Sequence, residues 1–560
     1  VMDLWIACYS RKRTDTGAYN EHWYEGKDSE TLLTLVESKC LSKIPLNIIA
    51  SNVYFDLAVS NLYRALIDNG WKLRRHYCKG MVFIMTLAKG TRKINLYNLQ
   101  NWINSSIGEI GELIGKPKLE CNIAKASPEE LLAYCRRDVE ILRDIFLQYL
   151  IFLRENDLGN FQTTKASQAF TAFRHRFMDT VVFIHNNEAA TTLERKGYFG
   201  GRCECFFIGS REGERIICYD VTSLYPYVMR EHFYPYKLYF HTFNMKEKQL
   251  RSLVKEYCVV AEVELETEDN VYAVHLDCKT IFPVGRFTAT LNTAAVVHAL
   301  ASGHVRKILQ VAVYHRAKIL TKAIESLWAL RKGYLEQGNK VFATLTKFIM
   351  NTLYGKFAQY SDTVLEEEIE GEPRYGTDRI LNDATGHWTK IKYLGNKSTT
   401  VLEKNQESFN SFCTISAHVT EYGRMYMHHL MTVAGKENVF YMDTDSLFVN
   451  EAGSSNLKDY IANNEIGKLK FEKEGNDLFI RGAKDYYFAE KETIKGIRKN
   501  AVKLAFDTYL QDLFPGFNSD LARMFEGHYT IRKVTKVLKR NYDKGYVTAT
   551  GEVKPLRMGD

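Results

Sequence analysis

At 560 residues the chain is too long for one hydrophobic core, so about two to four domains are expected. Its 45% hydrophobic and 25% charged residues, with only 9 prolines, exclude a largely disordered chain. The net charge of +8 is modest, eleven cysteines without a paired CxxC spacing suggest neither a disulfide scaffold nor a cysteine zinc site, and no apolar run nears the roughly 18 residues of a membrane span.

In chain order, strand-like "VMDLWIACYS" and "LNIIASNVYFD" alternate with the helical run "EELLAYCRRDVEILRDIFLQYLIFL". That alternation predicts a compact α/β domain over residues 1–155. Val1 opens no signal-peptide pattern, and its place where Met would stand is the expected mark of a fragment. The chain reads as intracellular. Residues 156–214 form a connector containing "GYFGGRCECFFIG", in which Cys203 and Cys205 take alternate strand positions. A second large domain opens on strand-like "RIICYDVTSLYPYVM" (215–229), with Asp220 placed where the chain turns towards helix.

The clearest helices are "KAIESLWALRKGYLEQ" (322–337) and "VFATLTKFIMNTLYGKF" (341–357), with Gly338–Asn339 as the turn between them. If the chain reverses there, Arg331 and Lys347 come abreast about 12 Å from the turn at 1.5 Å per residue. Asn351, Tyr354 and Gly355 follow Lys347 at i+4, i+7 and i+8, on one face of a continuous helix. Two cations on one face could clamp a triphosphate, and glycine at 355 lets a base pair or backbone approach closely. On these grounds alone a helical hairpin with solvated Lys and Arg reads equally well.

Residues 361–409 are polar, Gly- and Thr-rich and β-leaning, which suggests an insertion. In "VFYMDTDSLFVN" (439–450) two strand-like runs flank "DTD", putting Asp443 and Asp445 in a tight turn. Carboxylates are depleted in strands and costly to bury unpaired, although a lone turn aspartate is ordinarily only a turn residue. Two-metal phosphoryl and nucleotidyl transfer needs acidic ligands from separate strand ends, and Asp220 with Asp443 and Asp445 would supply them if the strands are neighbours. In the tail "YTIRKVTKVLKRNYDKG" (529–545), Arg532, Lys533, Lys536, Lys539, Arg540 and Lys544 face one acid, Asp543. Such a run suits a polyphosphate backbone, or simply a solvated face.

"DVTSLYP", "KFIMNTLYG" and "YMDTDS", in this order, resemble the three polymerase motifs of family B DNA polymerases. "YFGGR" (198–202) is similar to the family's YxGG motif, and "KDY" (484–486) to its KxY primer-strand motif. The wordings "YFGGRCECF" and "NTLYGKFAQ" are most similar to the protein-primed branch of bacteriophages and linear plasmids. The resemblance implies a multidomain α/β and α+β fold, a ribonuclease-H-like exonuclease domain followed by a right-hand polymerase. The exonuclease-like domain would occupy 1–155 and the YxGG connector 156–214. The palm would take 215–320, holding an insertion that contacts the priming protein, and then 410–490. Fingers helices would lie in 321–360, a β-rich insertion that encircles DNA in 361–409 and a thumb-like basic region in 491–560.

Carried over by motif, the family implies that Asp220 and Asp445 bind two Mg²⁺ ions, with Mn²⁺ as a substitute, and that Asp443 supports them. Tyr225, with Leu224 beside it, would underlie the sugar of the incoming dNTP and exclude a 2′-hydroxyl. Lys347 and Arg331 would bind the triphosphate and Asn351 the nascent pair, while Tyr354 and Gly355 would line the pocket and template. Lys484 and Tyr486 would grip the primer terminus, and Tyr198, Gly200 and Gly201 the template strand. In the exonuclease, "SNVYFD" and "YCRRD" match the second and third motifs through Asn52, Asp56, Tyr134 and Asp138. The first motif, a DxE pair, has no counterpart, since lone Asp3 does not replace it. Proofreading is therefore expected to be impaired in this chain.

The implied partners are a DNA primer–template, dNTPs and a terminal priming protein, with no membrane. The implied place is the host cytoplasm, or the mitochondrion for a linear plasmid. Three other readings stay open: a family B polymerase that starts without a priming protein, a non-catalytic DNA-binding subunit of the same fold, and a nuclease alone. Intact Asp220, Asp445 and Lys347 argue against the second, and the incomplete nuclease motifs against the third.

Overall fold

A computed structural model of the chain describes residues 4–12, 19–123, 125–382, 387–523 and 531–559. Asp3 and residues 529–530 of the basic tail lie outside these. The N-terminal region is built on a four-stranded sheet ordered Leu46–Ala50, Arg92–Asn98, Val82–Lys89, Lys72–Lys79. Its last three strands form an antiparallel meander whose tight turns carry Gly80 and Gly90 at φ 60°, a conformation that favours glycine. Leu46–Ala50 lies parallel to Arg92–Asn98. The opening strand Trp5–Lys12 pairs with Tyr19–Gly26 as a separate hairpin against the helix Pro128–Glu155. That helix starts where its sequence dictates: Ser127 and Glu130 form a capping box, and Pro128 occupies the first turn. Ile141, Ile145, Tyr149 and Phe152 then recur on one buried face.

Seven antiparallel strands make the central sheet, in the order Lys491–Thr493, Asp485–Phe488, Leu469–Gly482, Gly209–Val221, Ser446–Asn450, Val439–Asp443, Cys203–Cys205. Both faces are covered, which explains the unbroken apolar run Ile216–Tyr219. Ile217, Tyr219 and Val221 face the main core, while Ile216 and Cys218 meet Phe440, Phe448, Leu478 and Phe488 on the other side. The helix Cys413–Ala434 is almost wholly buried between this sheet and a second, five-stranded one. That second sheet runs Arg557–Met558, Val284–Asn292, Cys258–Thr267, Val305–Ala317, Tyr234–Phe243.

Two expectations need correction. The run 215–229 is not one strand, because the chain leaves the sheet after Val221 and becomes helical at Leu224–Glu231. The helical hairpin is Thr321–Glu336 and Lys340–Thr352, turning through Gly338 at φ 72° with Asn339 capping the second helix. Its second helix ends at Thr352, and Tyr354–Ala358 is a separate 3₁₀ turn. Tyr354 and Gly355 therefore do not continue the face of Lys347 and Asn351.

Residues 360–407 form a four-stranded antiparallel sheet that returns to the N-terminal region. There the Tyr63 hydroxyl donates to the Leu394 carbonyl at 3.1 Å, and the Leu73 N–H to Asn396 Oδ1 at 2.8 Å. Phe517 and Leu521, from a short C-terminal helix, join the same core with Tyr63 and Phe83. Among the described residues no helix is long and apolar enough to cross a membrane.

Candidate active site

Sheet register brings the three carboxylates to one edge. Asp220, next to last in its strand, is opposite Ser446, and Asp443 is opposite the same Ser446 across the hairpin. The Val221 N–H donates to the Asp445 carbonyl at 2.8 Å, so the two strand ends are tied by backbone. The hairpin turn is strained and held: Thr444 sits at φ 62°, and its N–H donates to the Arg202 carbonyl at 2.7 Å. Gly201 is what permits this closeness, because a Cβ there would stand 2.7 Å from Thr444 Cγ2 and 2.9 Å from its Oγ1. A glycine in "YFGGR" is thus a steric requirement of the aspartate turn.

Burial and crowded negative charge govern the electrostatics of this edge. Burial first, then Asp445 and Glu472, push the Asp220 carboxyl up to about 7 despite Lys347 and Lys470. Burial, then Asp443, also raise Asp445, again against Lys347 and Lys484. Asp443 is better compensated. Lys484 Nζ lies 3.3 Å from its Oδ1, and the Tyr441 hydroxyl donates to Oδ2 at 3.3 Å. Crowded, half-buried carboxylates with shared charge are the donor set that hard divalent cations take, so Asp220 and Asp445 fit a metal site.

Lys347 is exposed on the helix Lys340–Thr352 and is felt by both aspartates. Asn351, one turn on, is also exposed. The Arg331 guanidinium lies over Trp328 at 5.3 Å, and its Nε is buried without a hydrogen-bond partner among the described residues. Tyr225 meets Tyr354 with ring centroids 4.8 Å apart, and Leu224 is buried beneath. Burial pushes the Tyr225 hydroxyl up to about 12, so it stays a neutral phenol. Gly355 and Gly200 face open space, since a Cβ at either would meet nothing within 4 Å. Lys484, at φ 61°, opens the strand that carries Tyr486, whose ring lies 5.3 Å from Tyr441. Tyr198 is half-buried beside Tyr354 and Arg424.

Three contributors were not legible in the motifs. Arg424, buried in the Cys413–Ala434 helix, donates through Nη1 to the carbonyls of Phe199 and Gly200, both at 2.8 Å. Its neighbour Glu421 accepts from the N–H groups of Asn292 and Ala295 at 2.8 and 3.0 Å. The only sequence cue is an i,i+3 acid–base pair inside an apolar helix. Glu472 reaches Asp220 from an exposed strand, and no pattern singles it out.

The third, Lys118, belongs to the N-terminal cleft. A cavity of about 660 Å³ there is lined by Ser51, Gln100, Ser106, Glu109, Lys118 and Asp138, among others. Lys118 Nζ pairs with Asp138 Oδ2 at 2.8 Å and lies 4.7 Å from the Tyr134 ring centroid, whereas Asp138 Oδ1 is buried without a partner among the described residues. Asn52 and Asp56 sit at the start of the helix Val53–Val59, next to Ser51. Structure thus gathers Tyr134, Asp138 and Lys118, with Asn52 and Asp56 nearby on a separate element.

The family described as DNA polymerase type B, organellar and viral, matches residues 77–436. Similar chains include a probable DNA polymerase of Neurospora intermedia, 24% identical over 64% of this chain and 37% of that one. A DNA polymerase of Kluyveromyces lactis is 25% identical over 73% and 44%, respectively. The DNA-directed DNA polymerase of Enterobacteria phage PRD1 is 26% identical over 55% and 52%. The chain thus spans less than half the length of those fungal relatives. Among solved structures, Phi29 DNA polymerase complexed with primer–template DNA aligns with a TM-score of 0.61 at 15% identity, over 95% of this chain and 91% of that one. The fold is accordingly an exonuclease-like domain joined to a right-hand polymerase.

Proposed function

The chain belongs to the organellar and viral type B DNA polymerases, and on that premise we propose that it extends a primer 3′-hydroxyl with dNTPs on a DNA template. One observation carries this reading above the others. Asp220, near a strand end, and Asp445, in the turn of the neighbouring hairpin, are held at one sheet edge by the Val221–Asp445 backbone bond, with Lys347 as the nearby cation. When bound there, two Mg²⁺ ions, replaceable by Mn²⁺, would activate the attacking hydroxyl and neutralise charge on the leaving pyrophosphate.

The protein's own groups do the positioning. Lys347 binds the triphosphate, and Arg331 assists from its more sheltered place. Asn351 contacts the nascent pair. Tyr225, packed on Tyr354, sets a floor under the sugar that leaves no room for a 2′-hydroxyl. Lys484 spans two tasks, because the residue that balances Asp443 also grips the primer terminus together with Tyr486. Tyr198, Gly200 and Gly201 guide the template strand, with the open face of Gly355 beside the pair. The region division expected from the sequence follows the same reading, with the palm in 215–320 and 410–490 and the fingers in 321–360.

Start of synthesis on a terminal priming protein is the initiation mode we favour, supported by the likeness to Phi29 DNA polymerase and by the linear-plasmid wordings of the motifs. Its place would be the host cytoplasm or, for a linear plasmid, the mitochondrion. Primer extension by the Asp445→Ala variant tests the central claim. Loss of nucleotide addition with intact DNA binding is expected, and near wild-type extension would overturn the assignment.

A further inference from the structure

Away from the catalytic edge, Asp269, His298 and His428 converge from three elements. Asp269 is in the turn after the strand Cys258–Thr267, His298 is on the helix Thr293–Ala301, and His428 is on the buried helix Cys413–Ala434. One ligand atom from each lies within 4.8 Å of the others. We propose that these three side chains form a second metal site, specific for a borderline-soft divalent transition ion such as Zn²⁺ rather than for Mg²⁺.

Two imidazoles and one carboxylate are the donor set of a three-ligand zinc site with a water in the fourth place. A tetrahedral ion with bonds of about 2.0–2.1 Å sets its ligand atoms about 3.3–3.4 Å apart. His428 Nε2 and Asp269 Oδ2 are already 3.5 Å apart. His298, within 4.8 Å of both, then has to close by at most about 1.4 Å, a movement within reach of a side-chain torsion.

Outer contacts leave the correct atoms free. The Tyr272 hydroxyl lies 3.0 Å from His298 Nδ1 and 2.8 Å from His304 Nδ1, so the other nitrogen of His298 remains for the ion. Arg202 Nη1 approaches His428 Nδ1 at 3.5 Å, which likewise leaves Nε2. Lys436 pairs with Asp269 through Oδ1, and Oδ2 faces His428. A ligating carboxylate whose second oxygen is held by a cation is ordinary outer-shell support, although that charge will weaken the affinity. The Asp269 turn is braced by its own N–H donating to Thr267 Oγ1 at 2.8 Å. An ion here would fasten that turn to both helices. Through Arg202, whose carbonyl receives the Thr444 N–H, the fastening reaches the aspartate hairpin.

Cobalt supplies the test, because tetrahedral Co²⁺ absorbs strongly in the visible and octahedral Co²⁺ weakly. The whole chain, stripped with chelator, is titrated with Co²⁺, then with Zn²⁺ or excess Mg²⁺. One equivalent of the intense spectrum is expected, removed by Zn²⁺ and retained in Mg²⁺. The Asp445→Ala variant should give the same spectrum, which separates this site from the palm carboxylates. His298→Gln and Asp269→Asn should each abolish it, the second lying on a partly exposed turn. Tyr272→Phe should weaken binding about tenfold by freeing the His298 ring. A weak, octahedral spectrum in the unaltered chain, or an intense one surviving in either His298→Gln or Asp269→Asn, would overturn the proposal.

Discussion

The sheet edge of Asp220 and Asp445 and the N-terminal cleft both hold carboxylates, yet individual acids in them are balanced in different ways. At that edge burial, with Asp445 and Glu472 acting on Asp220 and Asp443 acting on Asp445, raises the proton affinity of both, and the nearby lysines do not offset it. In the cleft, Asp138 is matched by a direct contact with Lys118. Each region thus mixes two arrangements: Asp443 has Lys484 and Asp138 has Lys118, whereas burial raises Asp220, Asp445 and, in the N-terminal region, Asp56. A catalytic metal site is recognised by the charge it leaves unbalanced, more than by the number of its acids.

The largest effect should come from removing a palm carboxylate. Asp445→Ala is expected to lower nucleotide addition by on the order of 10³-fold or more in single-turnover primer extension, with DNA affinity in the absence of Mg²⁺ unchanged. The cleft should respond differently. Without dNTP, degradation of a labelled primer should run at least about a hundredfold slower than extension, and Asp138→Ala should change it little, because two-metal hydrolysis needs a fuller acidic set. Rapid degradation that Asp138→Ala abolishes would erase the contrast between the two sites.

Smaller effects sharpen the palm side. Lys347→Ala should cost about 10- to 150-fold in kcat/KM for dNTP, the worth of a charge-assisted phosphate contact. Arg331→Ala should cost less, and a defect confined to DNA affinity would sink the clamp. Tyr225→Ala should raise ribonucleotide use relative to dNTP while Tyr225→Phe keeps discrimination, as bulk and not the hydroxyl does the excluding. Equal selectivity in all three proteins would remove Tyr225 from this role.

The smallest effect is thermodynamic. An unfolded aspartate titrates near 4, whereas Asp220 holds its proton up to about 7. Stability from this group is present below about pH 4 and lost as pH rises through about 7, since the folded chain binds the extra proton. Mg²⁺ offsets only the ionised form, so its stabilising effect should grow between about pH 5.5 and pH 8 by on the order of 1–2 kcal/mol, after discounting for partial exposure. Calorimetric Tm values with and without Mg²⁺ report this, and Asp220→Asn should flatten the difference.

Strand and helix patterns disclosed the local elements where local rules govern them. The two apolar runs around "DTD" had to form a hairpin, and Gly338–Asn339 had to reverse the helices. The end of the second helix at Thr352 was hidden, because no glycine or proline interrupts "FIMNTLY" before Gly355. Arg424 was hidden for another reason. Its role depends on carbonyls more than two hundred residues away in sequence, and no local spacing encodes such a contact. The opening strand illustrates tertiary choice: "WIACYS" reads as a strand from any neighbour's standpoint, and only packing sets it in its own hairpin.

The fit between Gly201 and Thr444 also constrains how such a chain can drift. An alanine at 201 would collide with the threonine side chain, whereas a glycine at 444 would clear that space and relieve the φ of 62°. One order of substitution is therefore passable and the reverse is blocked. Lineages that arrive at alanine in the first place should already have shed the side chain in the second, leaving a paired signature that neither motif, read singly, would reveal.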